Sequence, residues 1–183
     1  MRDDIFSVVN FGGNPESGFK ALRDIRPKGP LMCGEYYPGW FDSWGTKHHT
    51  GSTANVVKEI GYMLDHKASF SIYMAHGGTT FGQWTGANSP PYLPQTSSYD
   101  YDDAPISEAG WDTDKFYALR TLFSGYLQEG EALTTVPARN PVIQIPAFST
   151  TEIAPLLSNL PKFVNDKKVR NMEEYDQGYG SIL

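Results

Sequence analysis

Apolar positions along this chain fall into two rhythms, and each rhythm assigns an element. Ile5 to Phe11 (IFSVVNF) is apolar with little alternation, as expected of a short buried strand, and Gly12-Gly13-Asn14-Pro15 ends it. From about Glu16 to Arg26, Phe19, Leu22 and Ile25 recur at helical spacing, which predicts a helix with one buried face. Pro27-Lys28-Gly29-Pro30 turns the chain into a second buried strand that ends at Glu35. Ser52 and Thr53 are caps for a helix from Ala54 to about His66, with Val56, Val57, Ile60, Met63 and Leu64 on its buried side. Ser69 to Met74 is a third strand. After a long loop, Asp112 or Thr113 starts a helix to about Leu127, striped by Phe116, Leu119, Leu122 and Phe123. Three strand–helix units in series predict part of a parallel α/β structure with long loops where the strands exit.

The rhythm stops after Gly130. Pro137, Pro141, Pro146, Pro155 and Pro161 exclude a long helix there. The expected organisation is therefore an α/β domain over 1–130, a Pro-rich connector over 131–164, and the start of a β-rich domain over 165–183. Val142 to Ile145 is a candidate strand of a further β layer.

Composition narrows the chemistry more than the fold. A formal charge of −6 over 183 residues argues against a nucleic-acid partner, and no apolar run is long enough to span a bilayer. The N-terminus, MRDDIFSVV, lacks the basic and apolar regions of a signal peptide. Cys33 is the single cysteine, so no internal disulfide is available, and a thiol inside a buried strand reads as inert. His48-His49 lacks the i, i+4 spacing of a helical metal pair and reads as a solvated loop pair. His76 reads as a packed residue at a strand exit, and His66 as the close of a helix, where its charge suits the dipole. No metal ligand set and no cofactor motif is present. Gly77-Gly78-Thr79 lacks the lysine of a phosphate-binding loop.

One carboxylate stands out. Glu35 falls where the second strand exits, followed by Tyr36, Tyr37, Trp40, Phe41 and Trp44. Aromatic faces stack on the C–H faces of a sugar, while a carboxylate attacks or stabilises the anomeric carbon. The plainer alternative is a surface loop whose rings pack on one another around a solvated glutamate.

Three segments, MCGEYYPGWFDSWG, IYMAHGGTTFGQWTGAN and TSSYDYDDAPISEAGW, occur in the order and spacing of glycoside hydrolase family 35, mainly retaining β-galactosidases. The chain resembles that family from Phe6 to Leu127. PVIQIPAF and EYDQGYGSIL are similar to the family's passage from barrel to β-sandwich. The resemblance implies the C-terminal portion of a TIM (β/α)8 barrel, about its sixth to eighth strand–helix units. The missing N-terminal half of the barrel would carry the general acid/base. Gly34-Glu35-Tyr36 matches the family's nucleophile motif, so Glu35 inherits the nucleophile role. Tyr73, Tyr101 and Trp40 match residues of the galactose pocket, and Tyr73 and Tyr101 become the expected hydrogen-bond donors to Glu35. Tyr101 lies in YDYDDAP, one Asp longer than the family's usual YDYDAP, and Thr80 replaces an Asn. Glu108 is read as structural. The implied substrate is a β-galactoside, hydrolysed without a cofactor, and family members are usually exported. The rival reading is a non-catalytic galactose-binding or interaction module.

Overall fold

Three short parallel strands stand side by side in the computed structural model, which describes residue 2 and residues 4–81, 84–99, 104–160, 167–171 and 174. The order is β1 (Val9–Phe11), β2 (Met32–Tyr36), β3 (Ser69–Ile72), with β2 central. Helix α1 (Pro15–Ile25) links the first two strands and α2 (Thr53–Asp65) the next two. This is the strand–helix–strand series that the periodicity predicts, since parallel neighbours need a crossover of this length. A small antiparallel pair, β4 (Ala87–Asn88) and β5 (Leu93–Pro94), lies within the long loop after β3. Helix α3 (Asp114–Ser124) follows.

Helices α1, α2 and α3 each start on a side-chain cap. Asn14, Ser52 and Thr113 accept from the backbone N–H of Ser17, Asn55 and Phe116, which satisfies an N–H that no earlier turn can reach. Asn14 does so with φ 50°, a left-handed conformation that Asn tolerates better than most side chains. Pro15 occupies the first helical position, where its missing N–H is no loss.

The core lies between the sheet and the helices. Phe19 and Leu22 of α1, Cys33 and Tyr36 of β2, Val56, Ile60 and Met63 of α2, and Leu119 of α3 pack into one cluster. Complete burial of a side chain such as Ile60 stabilises by about 1.5–3 kcal/mol. Cys33 is fully buried, and burial raises its thiol pKa, as expected of an inert cysteine. Gly18 allows the close approach of α1 to β1: a Cβ there would come 2.5 Å from the Phe11 ring.

Several expectations are corrected. The first strand covers only Val9–Phe11, and Ile5 and Phe6 are exposed. Ile25 is exposed as well; the buried residues of α1 are Pro15, Phe19 and Leu22. Position 25 is the last residue of the helix. The third strand ends at Ile72, two residues early. Val142 to Ile145 forms no strand, and Val142, Ile143 and Ile145 are exposed. An apolar alternation makes a strand only when a neighbour supplies hydrogen bonds, and none of the described residues does so there.

The chain divides into two compact units, Met1–Asn140 and Pro141–Leu183. Among its described residues the second holds one turn of 3-10 helix, Leu156–Ser158. Most of 165–183 lies outside the described residues. Within the first unit, residues past α3 are tied back to it. Arg120 donates to the Thr134 carbonyl, Trp111 Nε1 donates to the Asn140 carbonyl at 2.7 Å, and Arg139 pairs with Asp112 at 2.9 Å and lies over the Trp111 ring.

This clamp depends on pH. Hydrogen bonds from Arg139, then Tyr117, lower the Asp112 pKa from 3.8 to about 2. A depressed carboxylate pKa contributes stability that is complete above the unfolded value and lost as pH falls through the folded one. The clamp is therefore expected to weaken between about pH 4 and pH 2, read as a change in tryptophan emission. Arg139→Gln should remove that acid component; an unchanged titration in the variant would contradict the assignment.

Candidate active site

The exit of β2 is held from both sides. Tyr37 N donates to the Phe11 carbonyl at 3.1 Å, and Tyr73 N donates to the Tyr36 carbonyl at 2.8 Å. The register of β2 slips against both neighbours around Gly34 and Glu35: Val9 faces Cys33, but Asn10 faces Glu35. Such an irregularity inserts a residue and re-aims the side chains after it. Here Cys33 and Tyr36 both enter the helix-side core, although they are three residues apart.

The consequence is a split of function between adjacent side chains. Tyr36 is fully buried and its hydroxyl donates to Glu59 of α2 at 2.6 Å. Burial, then the Glu59 carboxylate, pushes its pKa far up. Glu35 and Tyr37, two apart and on one face, meet instead: Tyr37 Oη donates to Glu35 Oε2 at 2.7 Å. The Tyr37 pKa is raised chiefly by this bond, then by burial and the Glu35 charge. Glu35 is half-buried.

Around this pair the rings form a connected set. Tyr37 meets Trp40 edge-on at 5.8 Å and Tyr73 edge-on at 6.2 Å. Trp40 stacks on Phe41 at 5.0 Å, and Phe41 on Tyr99 at 5.2 Å. Trp40 remains 42% exposed, enough for a ligand to reach its ring. An open cleft of about 470 Å³ borders Tyr37 and Trp40, with Gly12, Ser52, Asn55 and Glu59 on its other sides.

Three of the four sequence-derived site residues, Glu35, Tyr73 and Trp40, are therefore brought together. Tyr101, the fourth, lies outside the described residues. Of the two expected donors, Tyr73 hydrogen-bonds Tyr99 instead, and among the described residues it is Tyr37 that reaches Glu35. The bond with Tyr99, then burial, raises the Tyr73 pKa, with smaller contributions from the charges of Tyr99, Glu35 and Tyr37. The spacing Glu35-x-Tyr37 on a strand is a signal that could have found Tyr37; nothing local marks Asn10 or Tyr99.

Other candidates are accounted for. Glu108 accepts from Thr79 and from Ser98 at 2.6 Å, so its carboxylate ties two loops. His48 and His49 are exposed but not merely solvated: both rings contact the Asp42 carboxylate, which also accepts from His49 N at 2.9 Å. Burial raises the Asp42 pKa, but the His48 and His49 contacts together outweigh it and the net shift is downward. His76 is exposed rather than packed, with Nε2 3.4 Å from the Glu108 carbonyl. Among the described residues no group of three or more His, Cys, Asp or Glu is arranged to hold a metal ion, and no helix is long and apolar enough to cross a membrane.

The comparisons with known proteins converge on one family. The model of "Glycosyl hydrolases family 35" matches residues 1–126, and the chain belongs to that family. It is 39% identical, over 98% of its length, to a "Beta-galactosidase" of Xanthomonas manihotis. It is 46% identical over 67% of its length to a "Beta-galactosidase-1-like protein" of Mus musculus, and 44% identical over 67% to a "Beta-galactosidase" of Homo sapiens. The chain spans 31%, 19% and 18% of these relatives, less than a third of each.

Lys115 fixes the aromatic loop. It is 4% exposed in the first turn of α3, an end of the helix that disfavours a cation, and Nζ donates to the Pro38 carbonyl at 3.1 Å. Lys115→Met keeps the volume but leaves that carbonyl without this donor. It is expected to destabilise by about 1–3 kcal/mol in urea unfolding and to shift tryptophan emission. Wild-type stability and emission would show that the loop does not depend on this bond.

Proposed function

We propose that this chain is the nucleophile-bearing part of a retaining β-galactosidase, corresponding to about the sixth to eighth strand–helix units of a TIM barrel. A Pro-rich connector towards a β-sandwich follows. The observation that carries the reading is Glu35 at the exit of a central parallel strand, beside Tyr37, Trp40 and Tyr73. Sites of such barrels lie at the strand exits, and the names of the relatives supply the substrate class.

In this reading a Glu35 oxygen attacks the anomeric carbon of a terminal β-galactosyl residue. The bond to the leaving oxygen breaks, and a second carboxylic acid protonates that oxygen. Water, deprotonated by the same second group, then releases galactose with its configuration retained. The two carboxyl groups of a retaining pair lie about 5–5.5 Å apart. The second belongs to the barrel's other half, so the 183 residues alone are expected to turn over no ordinary alkyl galactoside. Trp40, Tyr73 and Tyr101 are assigned to the sugar, Trp40 through its exposed ring.

The test is mass spectrometry of the chain after incubation with 2,4-dinitrophenyl 2-deoxy-2-fluoro-β-galactoside, whose leaving group departs without acid assistance. A covalent label on the peptide containing Glu35, absent from Glu35→Gln, is expected. A sugar that binds without labelling would favour the rival, a galactose-binding module. A label on another carboxylate would remove Glu35 from the role.

A further inference from the structure

We propose that Tyr37 is the positioning residue of the nucleophile, holding Glu35 Oε2 so that Oε1 forms the bond to the anomeric carbon. The inference rests on the assignment of Glu35 above and adds a residue to it.

The phenol is fixed at both ends. Its backbone N–H is bonded to Phe11, and its Cβ lies against Gly12, where a Cβ would come within 3.1 Å of it. The ring stands edge-on to Trp40 and Tyr73, so it cannot swing away without disturbing two further rings. Its hydroxyl then has one charged acceptor, Glu35 Oε2 at 2.7 Å, the length of a charge-assisted bond.

Asn10 completes the geometry from the neighbouring strand. It sits opposite Glu35 in the register, and its side chain hydrogen-bonds Tyr37. That contact opposes the rise in the Tyr37 pKa. Tyr37 in turn donates to Glu35. Gly34 makes room for Asn10, since a Cβ there would lie 2.9 Å from its Oδ1.

In the labelling reaction the Oε1 lone pair forms the bond to the anomeric carbon. The bond to dinitrophenolate breaks with its electron pair, and Tyr37 keeps its proton. Tyr37 acts through the nucleophile, so its removal should disorient Glu35 without abolishing it. Tyr37→Phe, which keeps the ring, is expected to slow labelling by about 10- to 100-fold, with the label still on Glu35. Asn10→Ala is expected to slow it less, in the same direction. Titration of ¹³Cζ-labelled tyrosine supplies a readout that packing alone would not move. The Tyr37 phenol should titrate above its ordinary range in the wild type and fall back in Glu35→Gln.

A wild type that labels while Tyr37→Phe labels equally fast overturns the positioning role alone. A Tyr37 titration left unchanged by Glu35→Gln overturns it as well. A wild type that does not label overturns the nucleophile assignment, and the positioning role falls with it.

Discussion

The register slip at Gly34 and Glu35 is the feature on which the rest of the site depends. Without it, strict alternation would send Cys33 and Tyr36 to opposite faces of β2. With it, both enter the core between sheet and helices, and Glu35 and Tyr37 are delivered together to the other face. One irregularity thus lets a five-residue strand serve the core and the site at once. The slip is secured by bonds on either side of the strand exit, from Tyr37 to Phe11 and from Tyr73 to Tyr36.

Two carboxylates mark the two faces, each bonded to a tyrosine of the same strand exit. Tyr36 joins Glu59, binding β2 to α2, and Tyr37 joins Glu35. Tyr36 of the first contact is fully buried in the helix-side core, whereas Tyr37 of the second meets the rings of Trp40 and Tyr73. The same chemistry, a phenol donating to a carboxylate, serves cohesion in one place and, in the proposed reading, the nucleophile in the other. What separates them is which face of the sheet they occupy.

The aromatic loop after β2 is fixed from outside as well as by its own stacking. Lys115 reaches the Pro38 carbonyl from α3, while Asp42 gathers His48 and His49. Trp40 is thereby held on Phe41, and Phe41 on Tyr99, far along the chain. A loop that offers rings for binding gains from such support, because a loop free to reorder loses binding energy in fixing itself.

Periodicity by itself determined the succession of strands and helices, because apolar spacing along one segment reports which face of that segment is covered. Local chemistry determined the caps only in part: Ser52 and Thr113 are legible as helix starts, whereas Asn14 reads merely as turn. The motif GEYYPGW singled out Glu35, since a lone carboxylate ahead of clustered rings is visible without coordinates. Only the tertiary structure decided which tyrosine meets it. Asn10, Tyr37 and Tyr99 acquire their roles from cross-strand register and from contacts between segments up to 58 positions apart, as between Phe41 and Tyr99. The failure of Val142 to Ile145 to form a strand has the same origin: a strand is a property of a pair, and one segment's sequence does not name its neighbour.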